Sequence, residues 1–321
     1  MKRIRVAVLG YGHLGKWHCQ KVEAHSESVD FVAIVEKFSP SQTLARQNHP
    51  NVRVVENIEE IISEIDAAFI VTPTSTHCEL MTYLLNQGKH VFCEKPVCSN
   101  DHEAERLLAL AREKNVVIQV GHSERFHQAW NLIGEKLKKL RTPYRVRINR
   151  VAAFKGRATD VDVIQDLAIH DLDLILYLLN QRPLSVKAEG YKIRTQKLDH
   201  ASIELELESN CSAEITVSRN HVKEIRDFEV ISQDGMIYVN LMNNKILEAH
   251  SSSFEDGSFV KELNYEKRDH LLLEHKYFYQ SIMKNESPVV TIADGLNAVH
   301  LVDLSLQSVE QGKKMKVQFY A

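Results

Sequence analysis

The chain has 321 residues, 44% of them apolar and 26% charged, the balance of an ordinary soluble protein with length for two cores. Its net charge of −3 excludes a general nucleic-acid or anionic-membrane binder, and no apolar run reaches the roughly 18 residues of a spanning helix. Five cysteines at 19, 78, 93, 98 and 211, without a CxxC pair, exclude a disulfide scaffold or zinc ribbon as the first reading and point to reduced thiols. The opening MKRIRVAVLGYG lacks the long apolar region and cleavage site of a signal peptide. A cytoplasmic protein is expected.

The first third alternates strand and helix. IRVAVLG (4–10), SVDFVAIVE (28–36), NVRVV (51–55), AAFIVTP (67–73), HVFCEKP (90–96) and NVVIQVGH (115–122) read as strands. Helices are expected between them, at 13–25, 41–49, 75–87 and 100–114, with a capping box at Asn57 and Glu60 and another at Asn100 and Glu103. Apolar strands and helices at this spacing predict parallel βαβ units in a doubly wound sheet. Beyond about residue 120 the rhythm stops. A helix over 124–140 leads to a strand over 144–154, a helix over 162–179, strand-like runs from LSVKAEGYKI to DFEVISQDGMIYVNL, helices over 266–284 and 292–311, and a last strand KVQF. The alternation in IELELES is that of a sheet with one wet face. The predicted architecture is α/β: a Rossmann domain over 1–121, then an α+β domain over 122–321 with an open, mainly antiparallel sheet.

Gly10-Tyr11-Gly12-His13-Leu14-Gly15 is a GxGxxG between a predicted strand and a predicted helix. Gly10 serves the tight turn, Gly12 lets the backbone approach a pyrophosphate and Gly15 lets helix pack on strand. Glu36 ends the second strand, where a carboxylate meets an adenosine ribose and repels an extra phosphate. NAD is therefore the expected cofactor, with NADP kept as the alternative by the adjacent Lys37. Ligands of such sheets sit outside the carboxyl ends of the strands. Thr72, Pro73 and Thr74, with His77 just beyond, and Glu94-Lys95-Pro96 all fall there.

GYGHLG, VTPTSTH and above all CEKP resemble the Gfo/Idh/MocA family of oxidoreductases, over essentially the whole chain. The resemblance implies that Lys95 contacts nicotinamide ribose and substrate and takes part in proton transfer. It also implies a second-domain sheet used for homodimer or homotetramer contacts. Asp166, His170 and Asp173 stand at i, i+4 and i+7, which on an α-helix places them on one face, with Asp171 pointing elsewhere. An imidazole flanked by carboxylates suits proton transfer, although a satisfied helix-end histidine has the same spacing. The spacing is similar to the family's D-x-G-x-H-x-x-D pattern, with Ala168 in place of the glycine. By that resemblance Lys95 and His170 share the hydroxyl proton and Asp166 orients them. Which of the two is the proximal base stays open.

The stretch 136–157 holds nine basic residues and no acidic one. It reads either as a solvated helix face and an exposed sheet edge or as an anion site. VGHSERFHQAW and RVAAFKGRATDVDVIQDLAIHDLDLIL resemble the branch of the family that oxidises nucleotide sugars. This implies UDP-N-acetylglucosamine as substrate, its 3-hydroxyl as the reacting group, and an aminotransferase consuming the ketone. His122, Glu124, Arg125 and Phe126 are then expected near the sugar, with Arg157 or Lys155 at the diphosphate, a placement resting on charge and position alone. The rival readings are a dehydrogenase of another sugar, polyol or sugar acid, and a sensor without turnover, against which the intact Lys95, Asp166 and His170 speak. No metal motif such as HExxH is present.

Overall fold

Six short strands with almost continuous apolar sequence line up in parallel in a computed structural model that describes residues 3–99, 101–156, 159–253 and 257–319. They are β1 (Ile4–Leu9), β2 (Val29–Val35), β3 (Arg53–Val55), β4 (Ala67–Ile70), β5 (His90–Glu94) and β6 (Ile118–Gly121). Their order is β3-β2-β1-β4-β5-β6, so the winding reverses between β1 and β4. Helices α1 (His13–Ala24), α2 (Ser39–Asn48), α3 (His77–Asn86) and α4 (Asp101–Glu113) connect them. Both faces of the sheet are covered: every residue of β4 and β6 is buried, as parallel strands require. The capping box at Asn57 and Glu60 is present and opens a single 3₁₀ turn. The box expected at Asn100 lies outside the described residues; Glu103 instead accepts the Ser99 N–H at 2.8 Å.

The expected division at 121 needs correction. One compact unit is Met1–Phe126 with Asp269–Val299; the other is His127–Arg268 with His300–Ala321. The reason lies in α7 (His270–Lys284), capped by the Asp269 side chain on Leu272 N–H. It places Phe278 and Tyr279, both buried, in the core made by Val6, Val8, Phe69, Phe92 and the inner side of α1. A helix whose apolar stripe completes a core joins that core, however far along the chain it lies.

The second unit is built on a nine-stranded sheet. Its strands are β7 (Arg145–Val151), β8 (Pro183–Tyr191), β9 (His200–Leu207), β10 (Ser212–Ser218), β11 (Ile225–Ser232), β12 (Gly235–Asn240), β13 (Lys245–His250), β14 (Val260–Asn264) and β15 (Met315–Lys316). The order is β14-β13-β12-β11-β7-β10-β9-β8-β15, antiparallel except where β7 pairs with β10. The alternation expected for IELELES appears as strict burial of Ala201, Ile203, Leu205 and Leu207 along β9. The run 227–241 is a hairpin of two strands, and β13 and β14 extend the sheet beyond the expected runs. α5 (Gln128–Lys138) packs with α6 (Ile169–Leu178), and α8 (Ile292–Gln311) precedes β15.

Candidate active site

The glycine loop has the geometry its sequence requires. Gly10 sits at φ +97°, and a Cβ there would lie 2.6 Å from the Val71 carbonyl oxygen at the end of β4. A Cβ on Gly15 would lie 2.2 Å from the Gly10 carbonyl oxygen, whereas one on Gly12 would meet nothing within 4 Å. Two glycines thus close the turn and the third leaves its outer side open. Gly12 is also the N-cap of α1 and offers no side-chain cap, so the helix start keeps N–H groups for an anion. His13 and Leu14 are exposed on that first turn. Tyr11 does not stack outward: its ring is buried, its hydroxyl receives the Asn48 amide at 3.1 Å, and only its backbone belongs to the loop.

Glu36 accepts the Tyr11 N–H at 2.7 Å and the Phe38 N–H at 2.8 Å. It ties the loop after β2 to the glycine turn. A cleft of about 290 Å³ opens beside it, lined by Gly10, Thr72, Pro73 and by Glu36, Glu56, Glu59 and Glu79 against one cation, Lys37. Carboxylates in that number suit a ribose bearing hydroxyls and oppose one bearing a phosphate. The residues present therefore fit NAD, held through the glycine-loop backbone and Glu36. Bound there, NAD supplies a hydride acceptor.

His77 and Glu94 are engaged from within. His77 is buried and bridges two main-chain carbonyls, with Nε2 2.9 Å from Thr72 O and Nδ1 2.8 Å from Pro96 O. It joins the ends of β4 and β5. Thr72 and Thr76 hydroxyls meet at 2.6 Å, and Thr74 opens the turn before α3. Glu94 turns its carboxylate into the core, where Oε1 lies 3.0 Å from His18 Nε2 and Oε2 accepts the Lys95 N–H at 3.1 Å. Burial alone would raise this carboxyl. The His18 bond and charge, Lys95 and the Lys95 N–H outweigh burial and hold it below the usual range. Lys95, the first residue past β5, is part-exposed, and its bond to Pro96 is cis.

Of the residues expected near a sugar, His122, Glu124 and Arg125 are all buried. Arg125 is anchored inside the first unit, 3.2 Å from Asp294 Oδ1 and 3.3 Å from the Val289 carbonyl. Burial raises the Asp294 carboxyl, but Arg125 and Thr291 more than offset it and leave it lowered.

In the second unit the expected helix face is altered. Residues Ile164–Ala168 form a π-helical turn before α6. A π turn carries one extra residue, so spacing that aligns on an α-helix rotates out of line there. Asp166 and His170 are part-exposed, whereas Asp173 is completely buried. Asp171, expected to point away, is also buried and takes three hydrogen bonds of 2.7–3.1 Å from Arg150. Asp166 lines a cleft of about 210 Å³ with Arg150, Lys155, Arg219, Glu224 and Arg226. Arg219 is fixed by buried Asp199 at 2.8 Å. Burial pushes the Asp199 carboxyl up, but the N–H groups of Thr195, Arg194 and Ile193 and the Arg219 side chain hold it far below the usual range.

β7 is a central strand, so the basic stretch is not a sheet edge, and seven of its nine cations meet carboxylates. Lys136 reaches Glu248 at 2.7 Å, Arg145 Glu214 at 2.8 Å, Arg147 Glu229 at 2.7 Å and Lys155 Glu224 at 3.2 Å. Lys138 pairs with Glu135, Arg141 with Asp234 and Arg150 with Asp171. Arg157 lies outside the described residues.

Sequence reading missed His18, a histidine on the buried face of α1 among Gly15, Cys19 and Val22. That placement was a signal, since a polar side chain on an apolar helix face must find a partner.

Residues 4–122 match a family described as oxidoreductases with an NAD-binding Rossmann fold, and residues 142–238 match its C-terminal domain. The chain is 31% identical to UDP-N-acetylglucosamine 3-dehydrogenase of Acidithiobacillus ferrooxidans over 96% of each chain. The chain belongs to the Gfo/Idh/MocA family. A solved structure of that dehydrogenase covers 97% of this chain and 99% of its own, with a TM-score of 0.88 and 28% identity. The NAD(+)-dependent scyllo-inositol 2-dehydrogenase of Bacillus subtilis is 25% identical over 91% of this chain and 90% of its own. This Gfo/Idh/MocA protein is thus an oxidoreductase acting on CH–OH groups, with NAD as its cofactor.

Proposed function

We propose that the protein oxidises UDP-N-acetylglucosamine at the 3-hydroxyl, giving the 3-keto sugar. The observation that carries this reading is likeness over nearly the full length, at 31% identity, to a dehydrogenase named for that substrate. The oxidation breaks the C3–H bond, whose hydrogen leaves with its electron pair, and the O–H bond, whose proton goes to a base. Lys95 and His170 are the groups we assign to that proton, with Asp166 orienting them. General-base assistance of this kind is worth about 10²–10⁴ in rate. Position 3 neighbours the carbon bearing the acetamido group, and a ketone there is a substrate for transamination; we place an aminotransferase downstream. A cytoplasmic homodimer or homotetramer completes the reading.

One observation favours a second substrate class. Seven cations of the 136–157 stretch have carboxylate partners, which suits an uncharged sugar or polyol better than a diphosphate. The deciding experiment measures NADH formation by the purified protein with NAD⁺ and, in parallel, UDP-N-acetylglucosamine, free N-acetylglucosamine and myo-inositol, with a ketone trap present. Turnover with the nucleotide sugar alone supports the proposal. Turnover with a free polyol alone replaces the substrate, and silence with all three despite NADH binding favours a sensor.

A further inference from the structure

Four buried side chains form a line behind the turn that carries Lys95. Glu94 Oε1 is 3.0 Å from His18 Nε2, His18 Nδ1 is 2.9 Å from His275 Nε2, and His275 Nδ1 is 3.3 Å from the Tyr279 hydroxyl. His18 and His275 have no exposed surface, Tyr279 has 1% and Glu94 has 8%. Phe69 and Phe92 pack against both imidazoles. On β6, the position paired with Glu94 is Gly121, where a Cβ would lie 2.9 Å from the Glu94 carboxyl carbon. The fold thus leaves room for this carboxylate and closes around it.

Donor counting fixes the end of the line at Glu94. An ionised carboxylate only accepts, so His18 Nε2–H donates to Glu94. Burial, followed by the charges of His18, His25 and Lys21, holds His275 well below the usual imidazole range and so neutral. One proton lies in each of the two further contacts, between His18 Nδ1 and His275 Nε2 and between His275 Nδ1 and the Tyr279 hydroxyl. The four side chains are thus hydrogen-bonded in series from Tyr279 to Glu94. The other Glu94 oxygen takes the Lys95 N–H.

We propose that His18, His275 and Tyr279 are positioning residues that act through Glu94 to fix the main chain and charge environment of Lys95. The inference rests on the proton-transfer role given to Lys95 above. Glu94 is the hinge of the arrangement: one oxygen is oriented from behind by His18, and the other holds the first amide beyond β5. Loss of the His18 donor frees the carboxylate to rotate, and the Lys95 ammonium moves with it.

The test uses the full-length protein and two readouts. The first is kcat, KM and the NADH Kd. The second is trace acetylation of Lys95 by acetic anhydride, scored by mass spectrometry against Lys138, which needs no substrate. His18→Leu should lower kcat about 10²-fold, the cost of a misplacement near 1 Å, with KM and NADH Kd within about threefold. His18→Gln, which can still present an amide N–H to Glu94, should recover most of that loss. Glu94→Gln keeps the shape but cannot accept from both His18 and Lys95 N–H, and should resemble His18→Leu; it serves if the leucine variant does not fold. Lys95 acetylation should change in the same variants while Lys138 does not. Unchanged kcat and labelling in His18→Leu and Glu94→Gln would overturn the proposal, as would parallel loss of kcat and NADH binding without recovery in His18→Gln. If the wild type oxidises none of the alcohols, the function reading fails, and the labelling alone still decides the positioning role.

Discussion

Arg150→Met is the substitution whose cost can be worked most directly from the coordinates. Arg150 gives Asp171 three hydrogen bonds, from Nε at 2.9 and 3.1 Å and from Nη2 at 2.7 Å. The two side chains are 12% and 1% exposed, so the screening that makes surface pairs nearly worthless is absent. Methionine fills much of the arginine stem but removes the charge and all three donors. Breaking a buried pair from one side costs about 3–5 kcal/mol, because the carboxylate stays in place without its cation. At about 2–4 °C per kcal/mol for a unit of this size, Tm should fall by roughly 6–20 °C. Calorimetry on the wild type, Arg150→Met and the double variant Arg150→Met/Asp171→Leu would measure it. Replacing both partners with apolar groups is often close to neutral, so the double variant should regain at least half of the loss. A single variant within 1 kcal/mol of wild type, or a double variant no better than the single, would refute the attribution to a stranded charge. The pair matters to function because Asp171 neighbours His170, and Arg150 shares a cleft wall with Asp166.

Three further outcomes are expected. Lys95→Ala should lower turnover by about 10²–10⁴ with NADH binding nearly intact; full activity in that variant would remove its proton-transfer role. Glu36→Ala should weaken NAD by roughly tenfold or more, through loss of a charged hydrogen-bond acceptor, and should weaken NADP less, since Glu36 also repels the phosphate; fluorescence titrations showing equal losses would count against the ribose contact. Folding stability should fall as pH drops below about 6.5, where the unfolded chain protonates His275 and the folded one, with His275 lowered by burial, does not. The stability this group contributes is present above 6.5 and lost on acidification, by at most about 1.4 kcal/mol per pH unit. Urea titrations at pH 7 and pH 5 should therefore give His275→Phe a shallower pH dependence than wild type, and equal slopes would contradict the assignment.

What was legible in the sequence is what local backbone chemistry dictates. Gly10 and Gly15 are needed by two close approaches of main chain. The first-unit strands were readable because a parallel strand covered on both faces is a continuous apolar run. The turn at Glu94-Lys95-Pro96 was readable because a proline stops a strand. What was not legible depends on partners that fold in from a distance. α7 carries no mark that its Phe278 and Tyr279 complete the first core rather than the second. Asp171 looked idle because Arg150 lies in another element, and the π turn at Ile164–Ala168 undoes the helical spacing that placed Asp166 on one face with His170 and Asp173.

The basic stretch shows why charge counted along a chain says little about anion binding. Lys136 finds its carboxylate 112 residues away, Arg147 finds one 82 away and Lys155 one 69 away. On β7 this follows from register: Arg147 lies directly across from Glu229 of β11 and Glu214 of β10. Cross-strand neighbours of opposite sign are what a central strand selects on its solvent face. A substrate diphosphate would have to compete with those carboxylates, at a cost in desolvation and in broken pairs, or be met by main-chain N–H groups that charge counting never registers. Paired side-chain charge therefore weighs toward a free polyol without excluding a nucleotide sugar, while full-length likeness favours the nucleotide sugar. The comparison of UDP-N-acetylglucosamine with free N-acetylglucosamine isolates the nucleotide: if the diphosphate is recognised, the difference will appear in kcat/KM, and its salt dependence will tell cations from backbone donors.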